Sequence, residues 1–511
     1  MSDELAVRTG HRLNPNPRRV ITKLFVPGEE MPRSRSRASA VITRILALSE
    51  AEVAALADAV IADFRGRHRD LTQTFSSHFA VVAHEIPGHR RLSAERRMLI
   101  GACFTHEYAP EAAALFNPSM AAHPDQSGLA DGQLRFVMTV RCVGEGHLSS
   151  IGFRTGVIGP RDALVVDEPE PLLVTGTSRP ATYQLSVFRS RLADLGDDDE
   201  TTHLLLGGLP ESFSAYQLGD ALAGIHEHTY NRERVQRIIE HIHLVAAATY
   251  DLEFPPETGL TERLLWPTAP MESHGMEDAR LVRFEEDDAT VTYYATYTAY
   301  DGAQVGPHLL ATKDFQNFHV SPMAGKAAQS KGLALFPRLI GGRYFALSRW
   351  DRESIALVDS DNCRIWSEPA TLHAPSRGWE LIQVGNCGSP IETSAGWLVL
   401  THGVGPMRVY GLGAMLLDLA DPSIVRAVLP EPLLTPTADE RDGYVPNVVY
   451  SCGSLVHDEV LTIPYGISDG AIGFAQVQLP HLLSRMIDGS QSPSRSANGA
   501  RPRLNGETGL P

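Results

Sequence analysis

The chain has 511 residues, enough to bury a large core, and its 61 acidic and 45 basic side chains give a formal charge of −16. That balance argues against general binding to nucleic acid or to anionic membranes, and is compatible with a small neutral ligand. No apolar run approaches the roughly 20 residues of a membrane helix, and length alone admits about two to four domains.

The first residues, Met1-Ser2-Asp3-Glu4, lack a basic segment followed by an apolar one, so a cytoplasmic enzyme is expected. Arg12, Arg18, Arg19 and Lys23 make the next stretch basic, but Pro15 and Pro17 interrupt it and no helical stripe is present. Ser49 and Glu52 have capping-box spacing ahead of Val53, Leu56, Val60, Ile61 and Phe64, which predicts a helix. A second helix is expected over 94–108. One face of each is too apolar for a linker, so a largely helical extension over 1–110 is expected to pack beside the main domain and roof one end of it.

Five stretches then share one plan: an apolar strand ends in a polar or aromatic residue, a loop follows, and a second strand begins. They are 136–141 with 149–154, 293–297 with 309–312, 344–349 with 355–358, 397–402 with 412–417, and 460–465 with 472–475. From the second copy on, the strand-end residues recur at roughly 50 to 60 residues, a period that suits four-strand propeller blades. The expected fold is mainly β, a five-bladed propeller over 111–482. In a propeller Arg141, Tyr297, Arg349, His402 and Tyr465 would meet at one central channel.

Between the first two copies, about 160–250 reads as a partly helical insertion. The stretches 183–195 and 214–228 have mixed apolar spacing, while Val235, Ile238, Ile239, Ile242 and Val245 give 232–250 an amphipathic helical step. The acidic turn Asp197-Asp198-Asp199-Glu200 is expected on the solvated surface. Just beyond, Glu277, Asp278 and Arg280 place two adjacent carboxylates and a guanidinium ahead of the strand-like run 291–297. An acid site on a β scaffold and an ordinary salt-bridged turn both fit those residues. The tail 483–511 is rich in Ser, Gly, Pro, Asn and Arg, and disorder is expected there.

Other motifs point away from chemistry. Cys103, Cys142, Cys363, Cys387 and Cys452 are odd in number and lack a CxxC pair, so neither a disulfide framework nor a thiolate zinc site is indicated. His241 and His243 stand two apart on a predicted helix and face different directions, which disfavours a metal site. Gly411-Leu412-Gly413 leads into a strand rather than a helix, against a dinucleotide site. Ser389, His402 and Asp418 lack the pattern of a nucleophile elbow.

The chain resembles glycoside hydrolase family 130, the inverting β-mannoside phosphorylases and related β-mannosidases, over about 113–480. The resemblance rests on Phe116-Asn117-Pro118-Ser119, Gly275-Met276-Glu277-Asp278-Ala279-Arg280, Leu335-Phe336-Pro337, Gly396-Trp397-Leu398 with His402-Gly403-Val404, Gly443-Tyr444-Val445-Pro446-Asn447-Val448-Val449, and Tyr465-Gly466-Ile467-Ser468-Asp469. It implies a five-bladed propeller with the sugar in its central cavity. By similarity Asp278 is the proton donor, acting through a hydroxyl of the bound mannose. Ala279 stands where the family usually has proline.

In the phosphorylase branch inorganic phosphate attacks from the opposite face, held by cationic and hydrogen-bonding groups. Arg349, His402 and Lys331 match positions of that cradle, and Asn117 and Ser119 match an adjacent polar loop. Gln383 departs from the lysine that the phosphorylases tend to carry. Arg141, Glu277, Arg280, Tyr297, Gln383, Tyr465 and Asp469 are the expected sugar-contacting residues, with Glu440 either joining them or fixing its loop. The expected reaction is phosphorolysis of a β-mannoside to mannose 1-phosphate, with phosphate as co-substrate and no metal or organic cofactor. Two alternatives stay open: hydrolysis, with Glu440 as candidate base, and a sugar-binding propeller without catalysis. The expected partner is an oligosaccharide or mannoside, not nucleic acid or membrane, and a homo-oligomer is compatible.

Overall fold

The computed structural model describes residues 5–27, 37–86, 88–160, 163–223 and 232–491. Near the N-terminus Ile21–Leu24 pairs with Thr105–Tyr108, and the helices Arg37–Leu46, Glu50–Phe64, Leu71–Val82 and Ala94–Cys103 lie between them. These helices bury their own core, including Ile42, Val53, Phe79, Ile100 and Phe104. The capping box forms: Ser49 Oγ accepts from the Glu52 amide at 3.3 Å, and the Glu52 carboxylate accepts from the Ser49 amide at 2.8 Å. The expected helix 94–108 stops at Cys103, because Thr105 to Tyr108 satisfies its backbone as a strand instead. Arg19, from the basic stretch, is buried, donating to Glu111 at 2.5 Å and to the Glu170 carbonyl at 3.0 Å.

The remainder is dominated by successive antiparallel meanders. The first comprises Ala114–Ala122, Leu134–Val143, Ser149–Ile158 and Leu164–Val166; the second Gly275–Glu285, Val291–Tyr300, Val305–Thr312 and Asn317–Pro322. Ala334–Leu335, Tyr344–Ser348, Ile355–Ser360 and Ala370–His373 form the third, and Gln383–Asn386, Gly396–Val404, Tyr410–Leu417 and Val425–Val428 the fourth. In the fifth, Val449–Tyr450, Val460–Ile467 and Ala471–Gln478 take their outermost partner from the other end of the chain, Ala6–Leu13. Each meander is hydrogen-bonded to the next. Asn117 reaches Asp278, the Glu285 amide donates to Pro337, Asn386 donates to Gly332, the Tyr410 amide donates to Asn447, and the Cys452 amide returns to Pro118.

The insertion carries the helices Leu185–Asp194, Glu200–Leu206, Ala215–Ala223 and Arg232–Ala247, packed on one another through Phe188, Leu206, Leu218 and Ile242. It is not purely helical, since Thr177–Pro180 and Tyr250–Glu253 extend the second meander's sheet. Residue 228, the end of the second expected helical stretch, lies outside the described residues. The acidic turn is not all solvated surface. Asp197 is buried and accepts from His241 Nδ1 at 2.5 Å, while Asp199 caps the helix Glu200–Leu206.

Beyond the fifth meander the chain continues as the helix Leu479–Gln491, with Leu482 and Met486 buried against the fourth and fifth meanders. That apolar spacing corrects the expected start of disorder at 483, and the rest of the tail, 492–511, lies outside the described residues. Among the described residues no helix is long and apolar enough to cross a membrane.

Candidate active site

Two irregular residues build the centre. In Ala114–Ala122 the ladder shifts register between Phe116 and Ser119, and in Gly275–Glu285 it shifts between Glu277 and Arg280. Asn117 has φ 48° in the first bulge and Asp278 has φ 54° in the second. Positive φ costs a residue with a Cβ about 1–3 kcal/mol, and a bulge re-aims the side chain it carries. Here both bulges aim at one point: Asn117 Nδ2 donates to Asp278 Oδ1 at 2.6 Å.

A cationic cage surrounds the two carboxylates. Arg141 donates to Asp278 Oδ1 at 3.1 Å, to Glu277 Oε1 at 2.8 Å and to Ser149 Oγ at 3.0 Å. Lys331 Nζ reaches Glu277 Oε2 at 2.5 Å. From beneath, the buried Arg280 donates to the Cys387 carbonyl at 2.6 Å, to Tyr450 Oη at 2.7 Å and to the Asp278 carbonyl at 3.1 Å. Burial pushes the Asp278 carboxyl up, but Arg141, Arg280, Lys331 and the Asn117 amide outweigh it and hold the pKa at about 2. Asp469, in the last hairpin turn at φ 49°, behaves in the opposite way. Its burial, then the Asp278 charge, push it up to about 7 against the pull of Arg141 and Arg408.

Arg349 and His402 form the second half of the site. Gly385 brings them together, since a Cβ there would collide with both side chains. His402 is fully buried, its ring 4.8 Å from that of Tyr450, and burial, then Arg349 and Arg280, push its pKa well below the usual imidazole range. The ring is therefore neutral. Arg349 Nε and His402 Nε2 are buried without a hydrogen-bond partner, so each has a donor or acceptor that a water, an ion or a ligand would satisfy. Beside Arg349, but not reached by the His402 ring, opens a recess of about 560 Å³ lined by Lys331, Arg349, Arg352, Gln383, Gln304 and Gln329 with Ala303, Val305 and Ser330.

Several expected site residues lie elsewhere. Ser119 is fully buried and accepts from the Leu281 amide at 2.9 Å, so it pins the Asp278 bulge. Tyr297 packs in the core with Tyr293 and Ala295, its hydroxyl donating to the buried Glu272. The register explains the miss. Phe116 stands opposite Arg141 just before the first bulge, and Glu277 stands opposite Thr298 just before the second. Thr298 therefore occupies the place of Arg141, and Tyr297, one residue off, faces the other side. Tyr465 is likewise a core residue whose hydroxyl donates to Glu440 at 2.6 Å. Glu440 also accepts from Arg8 at 2.7 and 3.0 Å, which ties the N-terminal strand to the fifth meander and occupies the carboxylate expected as a hydrolytic base.

Sequence reasoning missed Tyr450, Arg352 and the His147–Tyr444 contact. Tyr450 directly follows the quoted run ending at Val449, and Arg352 follows Arg349 within one turn, its amide donating to the Arg349 carbonyl at 2.9 Å. His147 and Tyr444 come from loops remote in sequence, with ring centroids 5.6 Å apart, and no local pattern pairs them. Among the described residues no group of three or more His, Cys, Asp or Glu side chains could hold a metal ion.

A family model described as beta-1,4-mannooligosaccharide phosphorylase matches residues 240–487. The chain is 34% identical over 212 residues to a 1,2-beta-oligomannan phosphorylase of Thermoanaerobacter sp. (strain X514), covering 41% of this chain and 70% of that one. A beta-1,2-mannobiose phosphorylase of Listeria innocua is 31% identical over 229 residues, 43% of this chain and 63% of that one. The solved beta-1,2-mannobiose complex of the Listeria innocua beta-1,2-mannobiose phosphorylase aligns with a TM-score of 0.43 and 21% identity over 74% of this chain and 92% of that chain. The chain belongs to glycoside hydrolase family 130.

Proposed function

We propose that the protein is an inverting β-mannoside phosphorylase, with its five meanders arranged as the blades of a propeller over 111–482 and the strand Ala6–Leu13 closing the last blade. The cyclic order of hydrogen bonds between meanders supports that arrangement, and the phosphorylase names of the relatives support the reaction. One observation carries the reading. A bulge-borne carboxylate adjoins Glu277, whose partner Lys331 lines a cationic recess with Arg349, and Arg349 Nε and His402 Nε2 are buried and unpartnered beside Gly385.

Phosphate bound to Arg349, neutral His402 and Lys331 attacks the anomeric carbon while the bond to the leaving sugar breaks. Asp278 supplies the proton through a mannose hydroxyl to the departing oxygen, leaving mannose 1-phosphate and a free acceptor. With its pKa at about 2 in the resting protein, Asp278 is ionised at neutral pH and is not yet an acid. The incoming phosphate corrects this, because its negative charge draws on the same Lys331 that favours ionisation, and the sugar excludes the remaining water; both raise the carboxyl. Acid competence is therefore gained only in the ternary complex. Asn117, Arg141, Glu277 and Asp469 are left to hold the sugar, with Arg280 setting the bulge from below. The five free thiols suit a cytoplasmic enzyme.

Incubation with β-linked manno-oligosaccharides, with and without phosphate, tests the reading. Mannose 1-phosphate formed only with phosphate is expected. Free mannose in both buffers would replace it with hydrolysis, and binding without turnover would leave a sugar-binding protein.

A further inference from the structure

The recess of about 560 Å³ is far larger than one phosphate needs, and its wall holds no carboxylate. Lys331 and Arg349 stand on its inner side. Arg352 is exposed, makes no ion pair among the described residues, and occupies a left-handed turn at φ 66°. A non-glycine residue in that conformation carries strain that the surrounding structure must hold in place. Its neighbour Asp351, though charged, makes no ion pair with it. The Asp351 carboxylate accepts from the Glu353 and Ser354 amides at 2.9 Å and from Ser354 Oγ at 2.5 Å. Asn117, Arg141, Asp278 and Asp469, the sugar side of the site, do not line this recess.

A dianion approaching a protein of formal charge −16 is repelled at long range, and a local cationic cleft restores its encounter rate by focusing the field. We propose that Arg352 is a phosphate-capturing residue at the outer wall of a separate anion entry, through which inorganic phosphate reaches Lys331 and Arg349 without passing the sugar. This rests on the phosphorylase reading above and adds a residue and a route to it. Arg352 touches neither the anomeric carbon nor the leaving oxygen, so its contribution lies in the capture of phosphate and its salt dependence rather than in the chemical step.

Arg352→Gln, Arg352→Lys and Arg352→Gln combined with Gln383→Lys test it, the last because Gln383 lines the same recess. For Arg352→Gln the KM for phosphate should rise about tenfold, with kcat at saturating phosphate and the KM for the mannoside within about twofold of wild type. The fall of kcat/KM for phosphate with rising salt should flatten. Arg352→Lys should restore most of the loss and the double variant part of it. Direct titration of inorganic phosphate into wild type and Arg352→Gln, without sugar, should show the same loss of affinity. Phosphate affinity unchanged by Arg352→Gln, or a kcat that falls as steeply as kcat/KM, would overturn the assignment. A wild-type enzyme that turns over without phosphate would sink the phosphorylase reading instead, and the phosphate titration would still decide the role of Arg352.

Discussion

Replacing Asp278 with asparagine separates its two jobs. The amide keeps the shape of the carboxylate and can still accept from Asn117 and Arg141, which now meet at Oδ1 at 2.6 and 3.1 Å. What is lost is charge and the proton. A carboxyl held at about 2 instead of 3.8 stabilises the fold by about 2 kcal/mol at neutral pH. Because the folded pKa is depressed, that contribution is present above 3.8 and disappears as pH falls through about 2. Asp278→Asn should therefore be about 2 kcal/mol less stable than wild type at pH 7 in urea unfolding, with the gap closing below pH 4. In catalysis, losing a general acid costs about 10²–10⁴-fold, or about 3–5 kcal/mol of barrier. Phosphate-dependent turnover of a manno-oligosaccharide should fall by that factor. A 2,4-dinitrophenyl β-mannoside, whose leaving group needs no proton, should lose much less. Equal losses on both substrates, or oligosaccharide turnover within about tenfold of wild type, would refute the acid assignment.

Three further outcomes follow from the geometry. Asp469 is pushed up to about 7 from 3.8, so its folded form prefers the proton and its own contribution to stability falls as pH rises from 4 to 7: relative to wild type, Asp469→Asn should gain stability across that window and be the more stable protein at pH 8 by roughly 1–4 kcal/mol. A thermal-unfolding series across pH checks it, and parallel curves would contradict it. Arg19→Met leaves Glu111 with Arg154 as its remaining ion partner in a fully buried triad. Breaking a buried pair costs about 3–5 kcal/mol, and a loss below about 1 kcal/mol in urea would show that the N-terminal segment is not anchored there. Gln383→Lys adds a cation to the recess. Apparent phosphate affinity should improve, and unchanged kinetics would mean that the position does not face the anion.

The repeat could be read in the sequence because each copy is an apolar strand pair bounded by turn residues: 136–141 falls inside Leu134–Val143, and 397–402 inside Gly396–Val404. Arg349 and His402 were also legible as strand-end partners, and the structure brings them together at Gly385. Tyr297 and Tyr465 were not, because counting to the end of an apolar run leaves the parity of the last residue undetermined, and one residue of slip moves a side chain across the sheet. Glu440 could not have been assigned without knowing that a strand beginning at Ala6 returns to the fifth meander and places Arg8 on it. Asp197 reads as surface in a run of acids. Only the fold shows that His241, on a helix more than forty residues later, covers it.

The bulges explain why the decisive local feature was invisible. In a regular strand Asp278 would alternate strictly with Glu277 and Ala279, and its carboxylate would take whichever face the pleat assigned. The extra residue between Glu277 and Arg280 lets both acids lie within reach of Arg141. It is kept in place by two groups outside the acid motif, the Ser119 hydroxyl on the Leu281 amide and Tyr450 on Arg280. Asn117 repeats the arrangement in the first meander at nearly the same φ, 48° against 54°. Asn and Asp are the residues with a Cβ that take the left-handed region most readily, and each of these two bulges is supported by the other's strand. The bulges place a donor that does not titrate 2.6 Å from the carboxylate, which in the proposed mechanism keeps Asp278 oriented while its protonation state changes.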